Sequence, residues 1–268
     1  MKEKANLNII KGESKQNISK NELIKISNQR ILKKIFHCLH THLKLEIIKN
    51  NKKMQERLNV DIKNYKEYSE KYSSIEIEII PVENEYGQFI NIKKEEENYF
   101  HIYFNNNKTE EIKRTYLNKE EKVSKINIII KYKVKSLYHL FYDCKCIESI
   151  NFLKLCRSIN NMNGMFCGCS SLKELNLSNI NINNVTDMSC MFDGCSSLKE
   201  INLSNFNTNN ATDMSWLFNG CSSLKEINLN NFNINNVDDM FGMFSGCLDE
   251  LKFKIRNQYK DFKVEAFV

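Results

Sequence analysis

Residues Asn184–Asn210 read NVTDMSCMFDGCSSLKEINLSNFNTNN, and the same pattern returns on both sides of them. Cys169, Cys195, Cys221 and Cys247 are each 26 residues apart, and the segments beginning at Leu172, Leu198 and Leu224 read LKELNLSN, LKEINLSN and LKEINLNN. A fixed period of this length marks stacked supersecondary units, none of which can bury its apolar face alone. Two hydrophobic periods alternate within a unit. Leu172, Leu175, Leu177 and Ile180 give L-x-x-L-x-L-x-x-I, which predicts a short strand with Leu175 and Leu177 inward and Glu174, Asn176 and Ser178 outward. Val185, Met188, Met191, Phe192 and Cys195 then fall at spacings of three, three, one and three, which predicts a short helical arm. Thr186 and Asp187 stand where they cap its start, and Gly194 where a left-handed residue ends it.

The same template finds degenerate copies further out. Ile147, Ile150 and Phe152 open a unit that closes on Ile159, Met162, Met165, Phe166 and Cys169. Before it, Val134, Leu137, Leu140, Phe141 and Cys144 repeat the arm, preceded by strand-like Ile126, Ile128 and Ile130. Leu248, Leu251 and Phe253 suggest one last strand. The expectation is six strands and five arms with atypical end units that cover the shared core. The fold class is thus an α/β leucine-rich-repeat solenoid of short parallel strands and short helices, with a 26-residue repeat.

Stacking places equivalent outward residues about 5 Å apart, so each becomes a ladder. The ladders are Glu174, Glu200 and Glu226; Asn176, Asn202 and Asn228; and Ser178, Ser204 and Asn230. These nine residues form the candidate binding surface for a protein or glycan partner. Lys173, Lys199 and Lys225 lie at its margin and can offset the stacked carboxylates. The pairs Asn183-Asn184, Asn209-Asn210 and Asn235-Asn236, with Asn181, Asn207 and Asn233, sit in turns and read as structural, because Asn satisfies backbone groups that a bend leaves unpaired.

The stretch quoted at the outset resembles the BspA-type leucine-rich repeat, also described as the bacterial surface protein 26-residue repeat or the DUF285 family. The resemblance covers roughly residues 123–255. It implies a surface or secreted protein of a bacterium or unicellular eukaryote, acting in adhesion and protein binding. The first residues, Met1-Lys2-Glu3-Lys4, lack a signal-peptide core, and no run approaches the ~18 apolar residues of a membrane span. The chemistry of the chain therefore points to the cytoplasm, while the family resemblance points to the cell surface.

Ten cysteines raise the question of metal or disulfide chemistry. Cys144, Cys169, Cys195, Cys221 and Cys247 share one template position beside the apolar arm, where cysteine packs as a small hydrophobe. The pairs Cys144/Cys146 and Cys167/Cys169 lie one coil apart, which could gather four thiols for zinc, but C-x-C departs from the usual structural spacing. No metal or cofactor is expected. The sequence holds no glycine-rich phosphate loop, no H-E-x-x-H and no nucleophile elbow, and His37, His40, His42, His101 and His139 have no evident catalytic partner. The expectation is a non-enzymatic recognition or scaffold protein.

Composition is that of a folded chain, 41% hydrophobic and 27% charged, with a formal net charge of +6. The charge is uneven: residues 1–74 hold 17 basic and 8 acidic side chains, residues 75–122 hold 7 and 11, and residues 123–268 hold 15 and 14. The basic excess reads as a solvated lysine-rich face, and no nucleic-acid partner is expected. The domains read as a disordered tail over 1–18, an amphipathic helical region over 19–74, a small β-rich region over 75–122, the solenoid over 123–255 and a terminal cap over 256–268. Within the helical region Ile31–Met54 resembles an F-box through Leu32, Ile35, Phe36 and Leu39, with Leu43 beyond. That resemblance implies a ubiquitin-ligase adaptor whose repeats hold the substrate. An ordinary amphipathic hairpin accounts for the same residues.

Overall fold

The computed structural model describes residues 26–38, 48, 51–59, 74–131, 134–154, 159–180 and 182–268. The chain divides into two compact units, Met1–Tyr72 and Ser73–Val268. In the first, helices α1 (Gln29–Cys38) and α2 (Lys52–Leu58) are the described elements, and Leu32, Ile48, Met54 and Leu58 are buried. Asn51 starts α2 by accepting the Met54 N–H at 3.1 Å on its side-chain oxygen, and Asn59 ends it in the left-handed region. The tail over 1–18 lies outside the described residues, as do His40, His42 and two F-box-like positions, Leu39 and Leu43.

The second unit contains β1 (Ile75–Pro81), β2 (Gly87–Gln88), β3 (Phe100–Phe104), β4 (Tyr116–Leu117), β5 (Ile126–Ile130), β6 (Ile147–Lys154), β7 (Glu174–Asn176), β8 (Glu200–Ile201), β9 (Glu226–Ile227) and helix α3 (Asp249–Gln258). The main sheet has the order β3-β5-β1-β6-β7. Ile75, Ile77 and Ile79 are buried and lie opposite Ile130, Ile128 and Ile126 in an antiparallel pair. On its other side β1 runs antiparallel to β6, and β6 runs parallel to β7. β5 is therefore not the coil neighbour of β6 that its sequence suggested, because β1 is inserted between them. One continuous core runs from Ile75 to Phe267, and residues 75–122 share a sheet with the repeats rather than standing apart from them.

From β6 onward the chain rises in coils, and the backbone shows how they are joined. Parallel bridges link Ser136, Asn161, Asp187, Asp213 and Asp239 in succession. The N–H groups of Met188, Cys190, Phe192 and Gly194 donate to Asp213, Ser215, Leu217 and Asn219 of the next coil at 2.7–3.0 Å. The alternate N–H groups of Met191, Asp193 and Cys195 turn back three residues within their own coil. The arms expected to be helical are thus runs of turns. An α-helix would consume every N–H internally, whereas here each second one is spent on stacking. Positive φ at Cys190 (55°) and Gly194 (71°) enforces that alternation. Close approach explains the glycine at Gly220, where a Cβ would meet the backbone of Gly194 at 3.3 Å.

Inside the coils Phe141, Phe166, Phe192, Phe218 and Phe244 form a column with ring centroids 5.4–5.7 Å apart and interplanar angles of 5–8°. Beside it, Cys169, Cys195, Cys221 and Cys247 donate their thiols to the carbonyls of Phe141, Phe166, Phe192 and Phe218 at 3.0–3.2 Å. The cysteines are buried as expected and also serve as hydrogen-bond donors between coils.

The terminal strand expected at Leu248–Phe253 is instead α3. Leu251 and Ile255, one helical turn apart, are buried, while Phe253 is 67% exposed. Asp249 and Glu250 favour a helix start, and ion pairs Lys252–Asp249 and Lys254–Glu250 support the first turns. Past α3 the chain returns to close the column: Phe267 stacks on Phe244 at 5.3 Å, and Gly242 and Phe244 donate to Glu265 and Ala266.

Phe192→Ala is expected to lower unfolding free energy by about 3–5 kcal/mol in urea, since it removes a fully buried ring flanked on both sides. A loss below about 1 kcal/mol would show that the column does not hold the coils together.

Candidate functional site

The outward side of the sheet is assembled by register. Tyr103 lies opposite Asn127, Asn127 opposite Glu78, Glu78 opposite Asn151, and Asn151 opposite Asn176. Asn202 and Asn228 hold the equivalent position in the next two coils. A second row runs from Ile80 to Ser149 to Glu174, and Glu200 pairs with Glu226 at the same level. The inward residues of these strands are isoleucine, leucine and phenylalanine, so the sheet alternation forces the polar set onto one face.

This face is concave. A depression of about 1040 Å³ is lined by polar Glu78, Ser149, Asn151, Lys173, Glu174, Asn176, Glu200, Asn202, Ser204, Glu226 and Asn228, and by apolar Ile80, Ile150, Leu175, Ile201 and Ile227. The concavity brings together seven of the nine residues that sequence reasoning selected. Ser178 and Asn230 lie outside its lining; their N–H groups close local turns on the side chains of Asn176 and Asn228, both at 3.0 Å. Glu78, Ser149 and Asn151 escaped the sequence reading. Glu78 does alternate with isoleucines, but only the β1–β6 register places it beside the repeat.

Local hydrogen bonds limit what the face can offer. Asn176, Asn202 and Asn228 each commit the side-chain oxygen to the N–H two residues on, which leaves their amide N–H₂ groups as donors. Asn179, Asn205 and Asn231 look similar in sequence but do different work. Asn205 donates to the carbonyls of Leu177, Ser178 and Ile180 in the preceding coil at 2.9–3.2 Å. Such asparagines pin one turn to the next. In the turns, Asn210 and Asn236 likewise donate to Asn183 and Asn209 of the coil before.

The lysine margin also differs from expectation. Lys173 pairs with Glu148 at 2.9 Å rather than with the ladder, and among the described residues no ion pair joins Glu174, Glu200 or Glu226 to a lysine. Glu78 is answered by Lys125 at 3.0 Å. Glu226 instead lies in the field of Lys254, whose ammonium it stabilises after Glu250.

Elsewhere the polar groups are absorbed into the fold. Asp187 and Asp213 each accept both the N–H and the hydroxyl of the serine two residues on. The four thiols considered for zinc take separate acceptors: Cys144 the Tyr142 carbonyl, Cys146 that of Gln88, Cys169 that of Phe141, and Cys167 the Asp193 carboxylate. Burial pushes Cys146 up to about 11 and Cys167 up to about 12, and raises Cys195 and Cys221 well above the ordinary thiol range. At neutral pH these are thiols, poor nucleophiles and poor metal ligands. His139 is held below its usual value by burial, with its ring stacked between Tyr138 and Tyr142. His101 contacts Glu111 at 2.7 Å. No helix among the described residues is long and apolar enough to cross a membrane.

Residues 135–257 match the family model described as "Mycoplasma protein of unknown function, DUF285". No curated protein and no solved structure matches the chain.

The two kinds of asparagine should separate in denaturant. Asn205→Ala is expected to cost about 1 kcal/mol, because carbonyls of the preceding coil lose their donor, and Asn202→Ala well under half as much. Equal losses would contradict the division between pinning and surface asparagines.

Proposed function

We propose that the repeat region, whose residues 135–257 match the DUF285 family model, is a leucine-rich-repeat solenoid that binds another protein on the concave sheet face, without catalysing a reaction. The observation that carries this reading is the continuity of the polar face. It crosses from the antiparallel strands β1 and β6 into the coils, and its lining residues come from five strands or their margins. A surface that served only for solubility would not need concavity, nor a column of carboxylates without close ion pairs among the described residues. Stacked like charges destabilise a sheet, so their persistence is best understood if a partner neutralises them. The buried, hydrogen-bonded thiols and the structurally engaged histidines and aspartates support a scaffold role over a chemical one.

Pull-down from a native lysate with the wild-type chain and with a Glu200→Lys, Asn202→Lys double variant tests this. Both positions are exposed, so the variant is expected to fold and to lose one or more partners. Identical partner lists from two equally folded proteins would remove the sheet face from consideration.

A further inference from the structure

We infer that the arms carry a binding site, built on Trp216, for a neutral glycan of equatorially hydroxylated sugars; the site lies apart from the strands and does not rest on the role proposed for the sheet face. Trp216 belongs to a column, with His139, Gly164, Cys190 and Gly242, in which every residue takes positive φ, between 55° and 63°. Gly164 and Gly242 adopt that conformation without strain, whereas a bulky side chain adopts it at a cost. The single tryptophan of the chain thus stands where the fold is best served by glycine. Strained residues of this kind collect at ligand sites, where the geometry is kept for what it presents.

The indole lies flat on the next coil. A Cβ at Gly242 would come within 2.7–3.0 Å of Cε3, Cζ3 and Cδ2 of Trp216, so three atoms of the six-membered ring cover the glycine at nearly equal range. That is a face-on contact, and Gly242 is buried beneath it while Trp216 stays partly exposed. The other face of the indole therefore looks outward. Phe241, 46% exposed, stands beside it with ring centroids 5.2 Å apart and planes at 66°. Floor and wall make an open aromatic corner.

Polar groups meet the corner on the same rung. A Cβ at Gly246 would lie 3.5 Å from Asn219 Oδ1. The Asn219 amide nitrogen donates to Asp193 at 2.7 Å, which fixes the side chain and leaves that oxygen as an acceptor. Half-buried Ser245, between Gly242 and Gly246 in the chain, adds a hydroxyl. An apolar partner would strip water from these groups and replace it with nothing. A pyranose with equatorial hydroxyls suits both halves: its face is C–H and stacks on the indole, and the hydroxyls around its rim reach the amide oxygen and the serine.

Charge narrows the class. Residues 211–221 and 237–247, the two arms concerned, contain no lysine or arginine. In the rung that follows, Lys263 is paired with Glu265 at 3.5 Å. Asp213 and Asp239 accept the N–H groups of Ser215 and Phe241 at 2.9 and 2.8 Å. Phosphate, sulfate or uronate would find no cationic partner here, which disfavours nucleic acid and acidic glycans.

Titration of the full chain with cellohexaose and with chitohexaose, followed by the emission of Trp216, tests this. A saturable change with at least one of the two is expected, with binding at least about tenfold tighter than that of a heparin hexasaccharide and about tenfold weaker in Phe241→Ser. No saturable change with either neutral sugar would overturn the glycan, and equal binding of heparin would overturn its neutrality. Trp216→Gly, read by calorimetry, is expected to keep its circular dichroism and to lose binding at least about tenfold. Undiminished affinity in Trp216→Gly or in Phe241→Ser would overturn the site. The Glu200→Lys, Asn202→Lys variant is expected to bind the sugar as wild type does; a loss there would move the sugar to the sheet face and remove it from the arms.

Discussion

A single constraint runs through the repeat region: every second backbone N–H of an arm must find its acceptor in the next coil rather than in its own. An unpaired buried amide is costly, so no coil of this kind can stand alone and none can slip by one residue without orphaning a whole set of donors. The 26-residue period is the sequence record of that requirement. Phenylalanine rings, thiols and asparagine amides occupy fixed columns because the hydrogen-bond register leaves them nowhere else to go. The rings stack within the core, the thiols reach back to the preceding phenylalanine carbonyl, and the asparagines pin the outer turns.

The polar face follows from the same constraint. Once coils are locked in register, any outward residue is copied into a line, and a glutamate at one site becomes a column of glutamates. The fold dilutes such a column at its ends, where Ser149 stands in place of the glutamate and Lys254 couples to Glu226. It does not do so in the middle. Within the three near-identical coils the carboxylates remain, and the concavity gathers them with amide donors at equal intervals.

How much of this was legible in the sequence depended on whether a signal was local or relational. The inward positions Leu175 and Leu177 and the outward glutamates could be read because alternation with period two is a local property. The arms were misread as helices, since Met188, Met191, Phe192 and Cys195 have helical spacing. A run of turns that presents the same side chains inward has that spacing too, and only the destination of the N–H groups tells them apart. At Leu248–Phe253 the error went the other way: leucine and phenylalanine fit the strand template, but Leu251 with Ile255 fits a helix, and the acidic start decided between them. The place of β1 between β5 and β6, which brings Glu78 and Asn151 to the site, is a long-range pairing that no window of sequence contains.

The C-terminal closure has a consequence for how such a molecule changes. Phe267, Ala266 and Glu265 supply to Phe244 and Gly242 the ring and acceptors that another coil would otherwise supply, while β1 and β6 seal the opposite side. Both terminators recognise only the coil they touch and are indifferent to how many lie between. Duplicating one 26-residue segment in the gene would therefore lengthen the polar face by a single rung and leave each seal intact. Reach, in this architecture, can be adjusted by copy number, independently of the chemistry inscribed on each rung.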